Sequence, residues 1–102
     1  MTADVTVRHN TEASRYEALL GDQVVGVVMY QRQGDRMIFE HTIVQPEFRG
    51  RGVAGQLVKA ALDDVAANGW TMTNYCGYIT DFIAHNPGYA SLADVRSARG
   101  SG

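Results

Sequence analysis

At 102 residues the chain holds enough sequence for one domain with a real core, but too little for the two halves of a dinucleotide-binding fold. Its 9 Lys+Arg against 11 Asp+Glu leave a formal net charge of -2 with no block of like charge. That argues against nucleic acid as the main partner, because such binding is mostly phosphate neutralisation by a basic surface. One cysteine, no basic-then-apolar leader and no apolar run longer than Val24 to Tyr30 point to a soluble, cytoplasmic protein with a free Cys76 and no membrane span.

Between Val5 and Val44 four β-rich runs, VTVRH, RYEALL, QVVGVVMYQR and RMIFEHTIV, are separated by NTEAS, GD and QGD. Short turn sequences between such runs predict a four-stranded antiparallel meander. In the fourth run a period of two sets Met37, Phe39, His41 and Ile43 on one side and Ile38, Glu40, Thr42 and Val44 on the other. One largely apolar face then carries a histidine, and Glu40, pointing away from it, is the poorer base.

After Pro46 the period changes. Val53, Ala54, Leu57, Val58, Ala61, Leu62 and Val65 recur at helical spacing, with Gln56, Lys59, Asp63 and Asp64 on the remaining arc and Asn68-Gly69 as the stop. WTMTNYC reads as a fifth strand, and GYITDFIAH as a short second helix ended by Asn86-Pro87-Gly88. The order strand, helix, strand makes the fourth and fifth strands parallel neighbours. The expected fold is α/β (α+β): an antiparallel meander, a β-α-β unit and a short C-terminal helix. A single domain over residues 1–96 precedes a flexible tail, SARGSG, at 97–102.

Gly50-Arg51-Gly52-Val53-Ala54-Gly55 matches G-x-G-x-x-G at the junction between a strand and the first turn of a long helix. Helix N-termini present unpaired N–H groups and partial positive charge, and glycines let a ligand approach that backbone, so the site suits a pyrophosphate. The dinucleotide reading fails on context. It requires an early, repeated β-α-β unit and an acidic residue ending the next strand, whereas that strand ends in Tyr75-Cys76. A P-loop fails because no Gly-Lys-Ser/Thr follows.

In its wider frame, VQPEFRGRGVAGQLV, the loop resembles the acetyl-CoA loop of the GCN5-related N-acetyltransferases. Their pattern, Arg/Gln-x-x-Gly-x-Gly/Ala, is present as Arg49-Gly50-Arg51-Gly52-Val53-Ala54. HTIV, CGYI and FIAHNPGYASL extend the likeness to the short YjdJ-like branch of that superfamily. The resemblance implies the mixed sheet of that fold, acetyl-CoA as co-substrate, and no metal. It implies that the backbone amides of Arg49, Gly50, Arg51, Gly52, Val53 and Ala54, with Gly55, hold the pyrophosphate, with Arg49 and Arg51 offering charge. The pantetheine arm would pair with the end of the fourth strand around Ile43 and Val44, in a gap where the fourth and fifth strands splay.

Acyl transfer to an amine needs a base for the ammonium proton, donors for the developing oxyanion and an acid for the leaving thiolate. His41, whose ordinary pKa of about 6.5 suits the work, is the candidate base; a strand histidine bonded to a neighbouring carbonyl is the plainer reading. Cys76 is a candidate nucleophile that takes the acetyl group with His41 as its base, or a small wall of the pocket. Tyr78 is the candidate acid, against the plainer reading of an aromatic on the core side of a short helix. Phe82 is expected to pack inward and His85 to sit at a helix C-terminus, where the dipole favours it.

Larger members of the superfamily insert helices between the first and second strands, where this chain has only NTEAS. The acceptor side is then open, completed by a second subunit, or shaped for an exposed amine on a larger molecule. The expected acceptor is an amine, or else a thiol, of a small molecule or a protein, and the mild acidity leans towards a cationic amine such as a polyamine or a lysine side chain. The alternative from another class is a CoA or acyl-CoA sensor without turnover, and either fits a monomer or a homodimer.

Overall fold

The computed structural model describes residues 3–92; the boundary expected at 96 and the segment 97–102 lie outside them. Five strands, β1 (Thr6–Asn10), β2 (Arg15–Leu20), β3 (Gln23–Gln33), β4 (Arg36–Val44) and β5 (Thr71–Asn74), form one sheet in the order β1-β2-β3-β4-β5. The first three junctions are antiparallel and β4 pairs with β5 in parallel, as the turn sequences and the intervening helix require.

Helix α1 (Val53–Asn68) lays Val53, Ala54, Leu57, Val58, Ala61, Leu62 and Val65 on one face of the sheet. They meet Tyr16, Ala18, Val28, Tyr30, Met37, Phe39 and Met72, all buried. Each large side chain so buried contributes about 1.5–3 kcal/mol against leaving it exposed, so the seven-residue stripe fixes the helix firmly. How low α1 sits is set by Gly26. A Cβ there would stand 3.1 Å from Leu57 Cδ1, 3.2 Å from Val53 Cγ1 and 3.3 Å from the Ile43 carbonyl oxygen, so only glycine lets the start of α1 approach β3 and β4 this closely. At its other end Gly69, at φ 67°, closes the helix with its N–H on the Val65 and Ala66 carbonyls.

Polar side chains tie β1 and β2 to α1. Tyr16 Oη donates to Asp64 Oδ2 at 2.6 Å, and His9 stacks on the Tyr16 ring at 4.1 Å while its Nε2 lies 2.6 Å from Tyr30 Oη. Burial pulls the His9 pKa down against the opposing pull of Asp64, and burial together with the Asp64 bond pushes Tyr16 up.

The fourth strand departs from simple alternation. Met29 pairs with His41 and Tyr30 with Phe39, so Glu40 is an extra residue opposite no partner. One inserted residue reverses every side chain beyond it. Met37 and Phe39 face α1 and so do Thr42 and Val44, whereas His41 and Ile43 turn to the opposite face and are exposed. The expectation that His41 shares the apolar face with Met37 and Phe39 is therefore corrected. So is the expectation for Glu40: its Oε2 accepts from Gln31 Nε2 at 2.7 Å, and Gln31, next to the inward Tyr30, belongs to the outer face. Glu40 and His41 stand on the same side.

β5 is shorter than the run WTMTNYC. The Asn74 side chain takes the Cys76 N–H at 2.8 Å and donates to Thr80 Oγ1 at 3.0 Å, which turns the chain out of the sheet and starts helix α2 (Gly77–His85). Trp70, outside the strand, lies under the Arg32 guanidinium at 4.2 Å. Phe82 packs inward against Tyr89, and His85 in the last turn bonds the Asp81 carbonyl. Both helices join one core, through Ile79 in the case of α2, and among the described residues no helix crosses the other face of the sheet. None is long and apolar enough to cross a membrane.

Candidate active site

Beyond β4 the chain makes a short 3-10 turn at Pro46–Phe48 and enters α1 through Gly50 and Gly52, at φ 77° and 79°. Those left-handed values are why glycine stands at both positions. Gly52 is the N-cap of α1 and brings no side-chain hydrogen bond. The first helical bond runs from the Gln56 N–H to the Gly52 carbonyl at 3.2 Å, which leaves the amides of Val53, Ala54 and Gly55 as the free donors of the helix start. The segment before β1 braces the loop: the Ala3 N–H bonds the Arg51 carbonyl at 2.9 Å, and Gln56 Oε1 accepts from the Val5 N–H at 3.2 Å.

These amides open on a cavity of about 130 Å³ bounded by Arg49, Gly50, Gly52 and the first turn of α1, with Val44 at one side and Tyr78 at the other. A second cavity of about 230 Å³ between α1 and α2 shares Ala54, Gly55 and Tyr78 with it and continues past Phe82 to His85. A Cβ added at Gly55 would meet nothing within 4 Å, so no packing contact demands a glycine there and the bare backbone faces open space. Arg49 Nε donates to the Val44 carbonyl at 3.2 Å, and the Arg51 guanidinium lies 5.7 Å over the Phe48 ring.

Next to the loop the sheet comes apart. Pairing between β4 and β5 stops at Phe39 with Asn74, followed by one bond from the Tyr75 N–H to the Phe39 carbonyl at 2.9 Å. Gln45 turns its N–H to Val25 on β3, so by the alternation of a strand Ile43 also faces β3 and the backbone groups of Thr42 and Val44 face the gap. The Val44 carbonyl, held by Arg49, agrees with that direction.

Cys76 is the N-cap of α2, 5 % exposed, and its Sγ lies 3.1 Å from Thr42 Oγ1 on the α1 side of the gap. His41 stands on the other face. The two residues that the sequence pairs as base and nucleophile are thus separated by the strand, and Thr42 is what the thiol meets. Tyr78, in the first turn of α2, is 53 % exposed and borders both cavities, so it is no core aromatic. Ile43, 52 % exposed, turns its side chain to the open face and its backbone groups to β3, so of the two residues expected to meet the arm only Val44 presents backbone to the gap. Thr42 and the groove between the helices are not legible in the sequence as site features, and Glu40 reads there only as the poorer base, because each depends on the bulge or on how α2 docks.

A larger cavity, about 420 Å³, lies away from the loop between β1, β2 and α1, beside His9, Asp63 and Asp64. Its carboxylates already bond Lys59, Tyr89, Tyr16 and Asn68. Among the described residues no group of three His, Cys, Asp or Glu is placed to hold a metal ion.

The family model for GCN5-related N-acetyl-transferases matches residues 15–92. Protein NATD1 of Mus musculus is 33% identical over 85 residues, 81% of this chain and 77% of that protein. The Bos taurus protein of the same name is 34% identical over 85 residues, covering 81% and 75%, and that of Danio rerio 31% over 83 residues, covering 79% and 76%. In fold the chain is similar to the solution NMR structure of a GCN5-like N-acetyltransferase candidate from Staphylococcus aureus, with a TM-score of 0.65 over 86% of both chains at 16% identity.

Proposed function

The chain belongs to the GCN5-related N-acetyltransferase family, and on that premise we propose that it transfers an acetyl group from acetyl-CoA to an amine at the open edge of β4. One observation carries the reading: uncapped helix amides open on a cavity beside a strand edge that has lost its partner. A pyrophosphate needs the first, and an extended amide-bearing arm needs the second.

In this reading the amides of Gly50 to Gly55 hold the phosphates, with Arg49 and Arg51 beside them, and the backbone groups of Thr42 and Val44 pair with the pantetheine arm. The acceptor approaches from the face without helices. Its ammonium gives a proton to His41 or to the neighbouring Glu40, both on that face, and the freed amine attacks the thioester carbonyl. A C–N bond forms and the C–S bond breaks; the nitrogen sheds its second proton to solvent, and the leaving thiolate takes up a proton, for which Tyr78 at the cavity margin is the candidate donor, regaining its own from solvent. Direct transfer is favoured over an acetyl-Cys76 intermediate because the proposed base and the thiol lie on opposite sides of β4.

A second reading, binding of CoA without turnover, is favoured by the bare acceptor face. Mass spectrometry separates the two. Incubation with acetyl-CoA, with NADH as control, should give a native complex, no acetyl adduct after denaturation, and acetylated product when an amine is added. A native complex that acetylates no amine supports the sensor, and no complex, or preference for NADH, overturns the loop assignment.

A further inference from the structure

On the face without helices the sheet carries two rows of side chains whose charges are sorted by strand. One row runs Asn10, Arg15, Met29, His41 and the next runs Arg8, Glu17, Val27, Ile43, by direct pairing across β1 to β4. At the β4 end stand Glu40 and His41. At the far end Glu17, only 1 % exposed, takes Arg8 Nε at 2.9 Å, Arg15 Nε at 2.7 Å and Asn10 Nδ2 at 3.1 Å. Between the two ends lie Val27 and Met29, half-buried and apolar.

Two guanidiniums on one carboxylate leave a net positive charge, and the arginines are open to solvent, with 57 % and 38 % of their side chains exposed. Among the described residues the Arg15 side chain bonds only through Nε, and 38 % of it is exposed, which leaves its terminal N–H groups available to a ligand. A buried carboxylate that needed only a partner would be satisfied by one arginine; this one also fixes the geometry of a second. Arg36, at the opposite end of β4, is engaged by Thr73.

Resting on the transferase reading, we infer that the acceptor is an amine that carries an anionic group, carboxylate or phosphate, across an apolar spacer. The amine lies at Glu40, His41 and the β4 edge, the spacer on Met29 and Val27, and the anion on Arg15 and Arg8. Arg15 is two strands from His41, about 10 Å, and Arg8 is three strands from Ile43 in its own row, about 14 Å, which sets the reach of the spacer. This reverses the preference for a cationic amine suggested by net charge, since net charge does not say where charges sit.

The test compares three acceptors of one chain length: ω-aminooctanoate, octylamine and diaminooctane. The expected result is a kcat/KM for the amino acid at least fivefold above octylamine, with diaminooctane lowest, an advantage that fades with added salt and shrinks several-fold in Arg15→Gln. In parallel, the arginine Nε–Hε signals of Arg8 and Arg15 are followed by NMR in the wild-type protein while ω-aminooctanoate is added. Those shifts should saturate, and should saturate also with ω-phosphonooctylamine if either anion is accepted. Turnover of all three amines at equal kcat/KM with unmoved arginine signals overturns this inference and leaves the transferase reading standing. Saturating arginine shifts without turnover of any amine keep the anion site and overturn the transferase. Absence of both overturns both.

Discussion

Gly52 offers the cleanest way to separate what the loop does for folding from what it does for a ligand. It holds φ 79° and ψ 9° at the N-cap of α1. Replacing it by Asn or Asp imposes the same left-handed strain, about 1–2 kcal/mol and less for these two short polar residues, so the pair should melt within a few degrees of each other. Only Asp adds charge beside the free amides of Val53, Ala54 and Gly55. Two unit charges about 5 Å apart repel by about 0.8 kcal/mol in bulk water and about 3 kcal/mol at an effective dielectric of about 20. The loop is open to solvent, so the lower part of that range applies, and Gly52→Asp should bind acetyl-CoA about tenfold more weakly than Gly52→Asn, a penalty of about 1.4 kcal/mol. Calorimetric titration of both variants at low and high salt measures it, with the gap narrowing as salt is added. Equal affinities for the two variants, both folded, would refute the claim that phosphate lies on these amides.

Cys76→Ser should retain most turnover and cost stability, since the thiol is buried against Thr42; loss of turnover together with an acetyl adduct on the wild-type protein would restore the covalent route. His41→Gln should lower kcat more than it raises KM, and Glu40→Gln should do so less; if only the Glu40 change is felt, the base is the carboxylate of the bulge. The arginines hold the Glu17 carboxyl at about 2, below its ordinary 4.5. A folded-state pKa below the unfolded one adds stability that is complete above about 4.5 and is lost as pH falls towards about 2. Unscreened, that difference is worth about 3 kcal/mol, and the solvent-exposed guanidiniums reduce it to about 1. Acid melts of Glu17→Gln should lack this decline, and an unchanged acid profile would deny the carboxylate its role. His9 moves the same way in a different window. Burial lowers its pKa, so neutral His9 favours the fold above about 6.5, and that contribution is lost as pH falls through this value towards the folded pKa. His9→Phe should flatten the melting curve there.

The elements and the loop are legible in the order of residues alone. Local chemistry suffices for these: the seven apolar positions of α1 repeat at helical spacing, the turns after β2 and β3 are written in Gly and Asp, and Gly50 and Gly52 announce left-handed backbone ahead of a helix start. The parallel pairing of β4 with β5 followed from the order of elements alone. The face that His41 and Glu40 occupy is set by the fold. A bulge is a mismatch between two strands, and nothing in RMIFEHTIV states that Tyr30 will pair with Phe39 while Met29 pairs with His41. For the same reason Thr42, not His41, meets the thiol of Cys76, and the arginines of β1 and β2 share a surface with a histidine three and two strands away. Those relations belong to register, which chains far apart in sequence set together and no single segment encodes.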